Sequence, residues 1–424
     1  MSDANCFPPL RTEIAGVNIR ELAEMGDTPV FVYDAAKMRE RLAQLEPFDV
    51  VRYAQKACSN LAVLDLLRRG GAVVDAVSAG EIRRALAAGY TTEGDVPPIV
   101  YTADIFDAEA LDLVAEHGLH VNCGSRDMLS QLAERVPGAS VTLRLNPGFG
   151  HGHSQKTNTG GPQSKHGIWH EELEECLQVA IHHGLTVSGL HMHIGSGTDM
   201  EHLSQVAAAM EAAARQVGRT LTSISAGGGL PTPYKAGDEE VDVTAYYELW
   251  NAMRSRLAEE FGHPISLEIE PGRFLSAEAG YLVTEIRAIK QMGENTFYLV
   301  DAGFNNLARP ILYGAYHPMS IVPNDGAAER TTHPVIVGGP LCESGDIFTQ
   351  EEGGFVASRE LPLASVGELL VIECAGAYGS VMGSNYNSKP LAAEILIEDG
   401  TPHVVRARQT FEDIVRGEVI PSRG

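Results

Sequence analysis

Between residues 50 and 270, short apolar runs alternate with stretches whose apolar residues fall at three- and four-residue spacing. The runs Val50–Ala54, Ala72–Val77, Pro98–Thr102, Leu119–Asn122, Val141–Asn146, Val187–His193, Leu221–Ser225 and Ile265–Glu270 read as strands buried on both faces. Helical periodicity fills the intervals, at Leu61–Arg69, Glu81–Ala88, Ala108–Glu116, Met128–Arg135, Leu173–His183, Leu203–Val217 and Ala245–Glu260. Eight strands alternating with helices is the arithmetic of a (β/α)8 TIM barrel, an α/β fold. A doubly wound open sheet shows the same alternation and stays open on the count alone. A strand at Thr28–Asp34 and a helix to about Leu45 come first.

Past Pro271 the pattern changes. Tyr281–Lys290, Phe297–Asp301, His333–Val337, Glu368–Glu373, Ala393–Ile397 and His403–Arg408 read as strands joined by turns, with almost no amphipathic helix between them. The expected organisation is a segment 1–34 that joins the β domain, a barrel over 35–280, and a separate C-terminal β domain over 281–424. Inside the barrel, Pro147–Gly167 (PGFGHGHSQKTNTGGPQSKHG) is rich in Gly, Ser, Asn and His and reads as a lid loop at the carboxyl end of a strand.

Composition narrows the partners. A chain of 424 residues, 44% apolar and with 44 glycines, has room for two or three globular domains. Its net charge of −24 argues against nucleic acid or an anionic membrane as a partner. No apolar run approaches bilayer length, and MSDANCFPPLRTE has neither a basic start nor an apolar core, so a cytoplasmic location is expected. Six cysteines without a CxxC pair suit reduced thiols better than disulfides or zinc.

Several segments carry candidate chemistry. The run VVRYAQKACSN (50–60) delivers one amine, Lys56, to the end of a buried strand, although an isolated strand-end lysine is ordinarily a solvated charge. In SAGGGLPTPY, Gly227, Gly228 and Gly229 would let backbone N–H groups approach an anion; GK[ST] does not follow and GxGxxG spacing is absent. Alone, three glycines read first as a plain flexible turn. Strand eight ends in Glu268, Ile269, Glu270, Pro271, Gly272 and Arg273. The two acids share a face and need a partner, and Arg273 would either neutralise one or bind phosphate beside the glycines.

His191 and His193 in GLHMHIGSG are spaced like half a zinc site. A metal-dependent barrel hydrolase would instead carry HxH on its first strand and an aspartate on its last, so no metal is expected, and stacking on an aromatic cofactor suits a histidine here better. In GGPLCESGD, Cys342 stands between a turn and two acids, where a thiol is either inert packing or a proton donor. Tyr378 and Tyr386 lie in the small, polar stretch AGAYGSVMGSNYNSKP.

Nearly end to end, the blocks YAQKACSN, NPGFGHGHSQKTNTGG, SKHGIW, HMHIGSG, GGGL, EPGRFL, VDAGFN, RP with YGAYH, GPLCESGD and SNYNSKP occur in one order. In this the sequence resembles the diaminopimelate decarboxylases, pyridoxal-phosphate enzymes that share the alanine-racemase-like barrel with eukaryotic ornithine decarboxylase. The bacterial lysine-forming branch is the nearest likeness, through HGHSQKTNTGG. The resemblance implies that Lys56 forms the internal Schiff base with pyridoxal 5'-phosphate, with Asp75 and Glu81 after strand two as its polar partners. It implies that His193 stacks on the pyridine ring and that Ser196, Gly227, Gly228, Gly229, Arg273 and Tyr378 surround the phosphate. Glu270 would meet the pyridine nitrogen. Arg273, Arg309, Tyr313, Glu343 and Tyr378 correspond to substrate contacts, and Cys342 to the proton donor.

The family pattern also has Cys342 and Glu343 arriving from a neighbouring subunit, which implies a homodimer with shared active sites. Imine formation needs an uncharged amine, so a site that desolvates Lys56 is expected. The implied reaction is decarboxylation of a small amino-acid substrate, meso-2,6-diaminopimelate, to L-lysine and CO2, the last step of lysine biosynthesis. Decarboxylation of ornithine, arginine or carboxynorspermidine is disfavoured by Arg309 and Glu343, which suit a distal amino-acid end that those substrates lack. A carrier without turnover is disfavoured by retention of Lys56, Glu270, Cys342 and Tyr378. Lys389 and Gly383 depart from the family pattern in the SNYN segment.

Overall fold

Each of the eight apolar runs is a strand of one parallel sheet in a computed structural model of the chain, which describes residues 7–150, 160–193 and 200–422. Counting β1 as Val30–Asp34, these strands are β2 (Val50–Ala54), β3 (Val73–Ala76), β4 (Ile99–Ala103), β5 (His120–Cys123), β6 (Ser140–Asn146), β7 (Thr186–Met192), β8 (Ser223–Ser225) and β9 (Ser266–Ile269). Each pairs with the next, and β9 pairs in parallel with β2, which closes the ring and decides for the barrel over the open sheet. A helix follows each of these eight strands, among them Leu61–Arg69, Ala79–Ala87 and Val243–Phe261. The side chains of Asn60, Ser78, Asp107, Ser125 and Asp242 accept hydrogen bonds from the first turns of five helices, so their starts are written locally.

Register sets which side chains meet inside the ring. Arg144 on β6 is level with His191 on β7, His191 with Ser225 on β8, and Ser225 with Glu268 on β9. The interior is therefore polar at one level. Arg52 is buried and makes an ion pair with Glu268, its Nη2 3.0 Å from Oε2, while Nη1 donates to the Pro97 carbonyl at 2.8 Å.

This barrel unit comprises Arg39–Thr232 and Glu240–Leu275. The second unit takes the residues up to Met38, the stretch Pro233–Glu239, and the chain from Ser276 on. The boundaries thus differ by a few residues from those expected at 34/35 and 280/281, and no compositional shift marked the excursion at Pro233–Glu239.

In the second unit the further strands are β10 (Gly280–Met292), β11 (Asn295–Val300), β12 (Met319–Val322), β13 (Thr332–Gly338), β14 (Arg359–Pro362), β15 (Leu369–Ile372), β16 (Ala393–Glu398) and β17 (Thr401–Arg406). β1 lies between β10, antiparallel, and β16, parallel. Ile14, Ile19, Leu22, Val30 and Val32 pack with Val283, Val371 and Ile395 in one core. Burying each such side chain contributes roughly 1.5–3 kcal/mol, which ties the early residues to this unit. Strands β12 and β14 and the helix Ile19–Gly26 have no counterpart in the sequence pattern. Among the described residues no helix is long and apolar enough to cross a membrane. Cys58, Cys123, Cys176, Cys342 and Cys374 are free thiols.

Candidate active site

Strand β2 runs into the single helical turn Gln55–Ala57, which carries Lys56 at the carboxyl end of the barrel. The Tyr53 hydroxyl donates to the Cys58 carbonyl at 3.0 Å, and the Gln55 amide reaches the carbonyls of Asp75 and Glu81, both at 3.2 Å. These bonds fix the turn but leave its lysine outside it. Lys56 is exposed, where the sequence argument asked for a desolvated amine. It lines a cavity of about 1120 Å³ together with Tyr101, Asp104, Arg144, His166 and Trp169. In that cavity Asp104 accepts from the Gly167 N–H at 2.8 Å, and its other oxygen is 2.9 Å from His166 Nδ1.

Glu270, just past β9, is buried and held through both oxygens. His191 Nε2 lies 2.7 Å from Oε2, and the Ser225 hydroxyl donates to Oε1 at 3.2 Å. Burial opposes its charge, but His191, then Arg52 and Arg144, outweigh it and hold the carboxyl below the usual range. Its neighbour Asp75 goes the other way. Burial, followed by the negative charge of Glu270, pushes Asp75 up to about 7 against a hydrogen bond from Thr102 and the charge of Lys56. One site thus holds one ionised and one protonatable acid. Asp75 lies within β3 and not after it, as expected from sequence; Glu81 follows at the start of a helix, its carboxylate accepting from the Val77 N–H at 2.8 Å.

Glu268 on β9 and Glu270 just past it find partners other than Arg273, so the first of the two roles left open for Arg273 is filled by others: Arg52 for Glu268, and His191 with Ser225 for Glu270. The HxH spacing is likewise accounted for by different roles. His191 serves Glu270, while His193, the first residue after β7, is half-buried and pushed well below the usual imidazole range by burial and by the charges of Lys56, Arg144 and His191. Among the described residues no three His, Cys, Asp or Glu side chains are grouped to hold a metal. Ser196 lies outside the described residues.

After β8 the backbone bends tightly. A Cβ on Gly227, whose φ is +65°, would lie 2.4 Å from the Met192 carbonyl oxygen, and one on Gly228 would lie 2.4 Å from that of Glu270. Gly229 also has positive φ, at 99°. The Ser225 hydroxyl accepts from the Gly227 N–H at 3.1 Å, and the Gly227 carbonyl accepts from the Glu270 N–H at 2.8 Å. Side chains are therefore excluded from this bend, which leaves bare backbone beside Glu270. Arg273 opens the short helix Arg273–Ser276 just beyond.

The remaining candidates belong to the second unit. Arg309 and Tyr313 open and close the helix Arg309–Tyr313, one turn apart, and Arg309 is buried. Cys342 and Glu343 are exposed at the tip of a loop. Asp346 braces that loop by accepting from the Leu341 and Phe304 N–H groups, both at 2.8 Å, and Asn387 Oδ1 accepts from the Cys342 N–H at 2.8 Å. Tyr378 is half-buried with a left-handed backbone, φ 56°.

The barrel site suits pyridoxal phosphate. Asp75 Oδ1 and Gln55 Oε1 are buried and have no hydrogen-bond partner among the described residues, so the polar lining is incomplete by itself. The glycine bend offers backbone N–H groups where a side chain would not fit, and Glu270 offers a fixed negative charge.

Three residues whose charge or hydrogen bond acts on Glu270 escaped the sequence reading: Arg52, Arg144 and Ser225. A charged residue inside a fully buried strand, as in VVRYA and VTLRLN, is a signal that was available, since arginine is buried only where it is paired. Ser225 offered none.

Residues 34–277 match the family described as the pyridoxal binding domain of pyridoxal-dependent decarboxylases. The diaminopimelate decarboxylase of Escherichia coli strain K12 is 52% identical, over 96% of this chain and 98% of that protein. That of Streptomyces coelicolor is also 52% identical, over 98% of this chain and 94% of the relative. A crystal structure of a diaminopimelate decarboxylase superposes with a TM-score of 0.93 at 51% identity, covering 97% of this chain and 99% of the other. With likeness of this extent added to a barrel mouth built for a phosphorylated pyridine, the chain belongs to the diaminopimelate decarboxylase family of pyridoxal-dependent decarboxylases.

Proposed function

We propose that the protein decarboxylates meso-2,6-diaminopimelate to L-lysine and CO2, closing lysine biosynthesis in the cytoplasm. The observation that carries this reading is Glu270, buried, held through both oxygens and kept ionised close to Asp75. Pyridoxal phosphate supplies a protonated pyridine ring that accepts the electron pair left when the carboxylate departs as CO2. Lys56 would hold that cofactor covalently, His193 would lie against its ring, and Glu270 would accept the hydrogen bond of its pyridine nitrogen. The bend at Gly227, Gly228 and Gly229, through the N–H groups of Gly228 and Gly229, would hold the phosphate with Ser196, Arg273 and Tyr378, while the Gly227 N–H is given to Ser225.

The other residues follow from the shape of the substrate. Diaminopimelate has two amino-acid ends. Because the meso compound yields L-lysine, the D end loses its carboxylate and the L end must be held at a distance. A guanidinium grips a carboxylate at two points, and Arg309 is the candidate, with Arg273, Tyr313, Glu343 and Tyr378 completing the contacts. Cys342 Sγ would return a proton to the carbon that lost CO2.

The exposed loop tip bearing Cys342 and Glu343 supports a homodimer in which that tip enters the partner's site. Free, dispersed cysteines support a reducing compartment. Incubating purified protein with meso-diaminopimelate, L-ornithine or L-arginine should release CO2 only from the first, with L-lysine as product. Release from ornithine or arginine with diaminopimelate untouched would overturn the reading.

A further inference from the structure

The segment YGAYH places a histidine, His317, a few residues beyond the helix Arg309–Tyr313. His317 and Arg309 are both buried, and Arg309 Nη1 lies 2.9 Å from His317 Nε2. A guanidinium has no acceptor, so the arginine donates and Nε2 must accept. The ring's proton is therefore on Nδ1, which donates to the Glu373 carbonyl oxygen at 3.0 Å. A histidine committed at both nitrogens is neutral, in one tautomer, and unable to flip. The Glu373 side chain is itself anchored, accepting from Ser320 Oγ at 2.6 Å and from Arg11 Nε at 2.8 Å. Tyr234 completes the arrangement. Its ring lies 4.9 Å below the Arg309 guanidinium and meets the His317 ring edge-on at 5.5 Å.

We infer that His317, in its neutral Nδ1–H form and with Tyr234 as a stacking floor, is a positioning residue that aims Arg309 at the distal carboxylate of the substrate. An arginine side chain has many rotamers, and a two-point grip requires one of them. A fixed acceptor at Nη1 and a ring beneath the guanidinium select that rotamer before substrate arrives, which lowers the entropy lost on binding. The arrangement acts on the end of the substrate that does not react, so it bears on affinity and on the choice among diamines, and leaves bond breaking alone. This inference rests on the assignment of Arg309 as the distal clamp.

The test compares L-lysine, which keeps the distal carboxylate, with pentane-1,5-diamine, which has the same amine spacing and no carboxylate. His317→Leu should raise KM for meso-diaminopimelate and weaken L-lysine binding by about tenfold or more. Its kcat should stay within about threefold of wild type, and diamine binding and the cofactor's visible absorbance should not move. In His317→Gln a side-chain oxygen accepts from Arg309 while the amide N–H reaches Glu373, so most of the affinity should return. Equal weakening of lysine and diamine, or a loss in kcat without a change in KM, would overturn the inference. Should His317→Leu not fold, Tyr234→Leu must show the same carboxylate-selective loss, and its absence overturns the inference equally. A wild-type protein inert toward meso-diaminopimelate would sink the assigned reaction instead, which separates the two failures.

Discussion

Glu270 shows how a buried carboxylate stays charged. Desolvation alone would neutralise it, and His191, by charge and by hydrogen bond, with two arginines reverses the balance. Replacing Glu270 with Gln keeps the shape and removes the charge that would sustain a protonated pyridine. We expect kcat to fall by about two orders of magnitude or more, with a displaced visible band in the cofactor-loaded variant. Asp75 gives a signed pH effect in cofactor-free protein. Its folded pKa lies above the unfolded value, so its contribution to stability is full in acid and is lost as pH rises through about 7. Because His120 and His193, held neutral by burial, make stability rise with pH in both proteins, the signed readout is the difference between wild type and Asp75→Asn. Urea denaturation should find wild type losing stability relative to Asp75→Asn as pH rises from about 4 to about 7. A difference that grows in favour of wild type over the same range would contradict the assignment. At this scale Lys56, Glu270 and the glycines stood out in the sequence because each breaks a local pattern. Ser225 did not, since a serine at a strand end is unremarkable until register sets it level with Glu268.

The bend after β8 is where an element's geometry becomes a chemical property. An added methyl at Gly228 would press on the Glu270 carbonyl oxygen, so Gly228→Ala must shift the backbone that bears both the anion-facing N–H groups and the acid. Affinity of cofactor-free protein for pyridoxal phosphate should drop by roughly ten- to a hundredfold, as read by titration of the visible band, with the far-ultraviolet circular dichroism unchanged. Unaltered affinity would remove these glycines from phosphate binding. The barrel elements themselves were legible because parallel strands buried on both faces are uninterrupted apolar runs, and because Asn60, Ser78, Asp107, Ser125 and Asp242 announce helix starts. In the second unit the four-residue Leu369–Ile372 was legible as an unbroken run of β-formers, whereas Met319–Val322 and Arg359–Pro362, equally short, include polar or turn residues and owe their pairing to distant partners.

At the scale of the molecule, the shared-site reading has a quantitative consequence. Lys56→Ala and Cys342→Ala proteins should each be nearly inactive. Equal mixing should form hybrids in half of the dimers, each with one intact site, and restore about a quarter of wild-type activity. Mixtures that stay dead after verified subunit exchange would place both residues in one chain's own site. The other large-scale feature is the path of the backbone, which passes between the barrel unit and the second unit at Met38/Arg39, Thr232/Pro233, Glu239/Glu240 and Leu275/Ser276. Neither unit is a continuous cassette. A gene fragment spanning 39–275 would carry a strap that belongs to the missing half, so recombination with a single breakpoint cannot swap one half for a foreign counterpart, and the two should have been inherited as a pair.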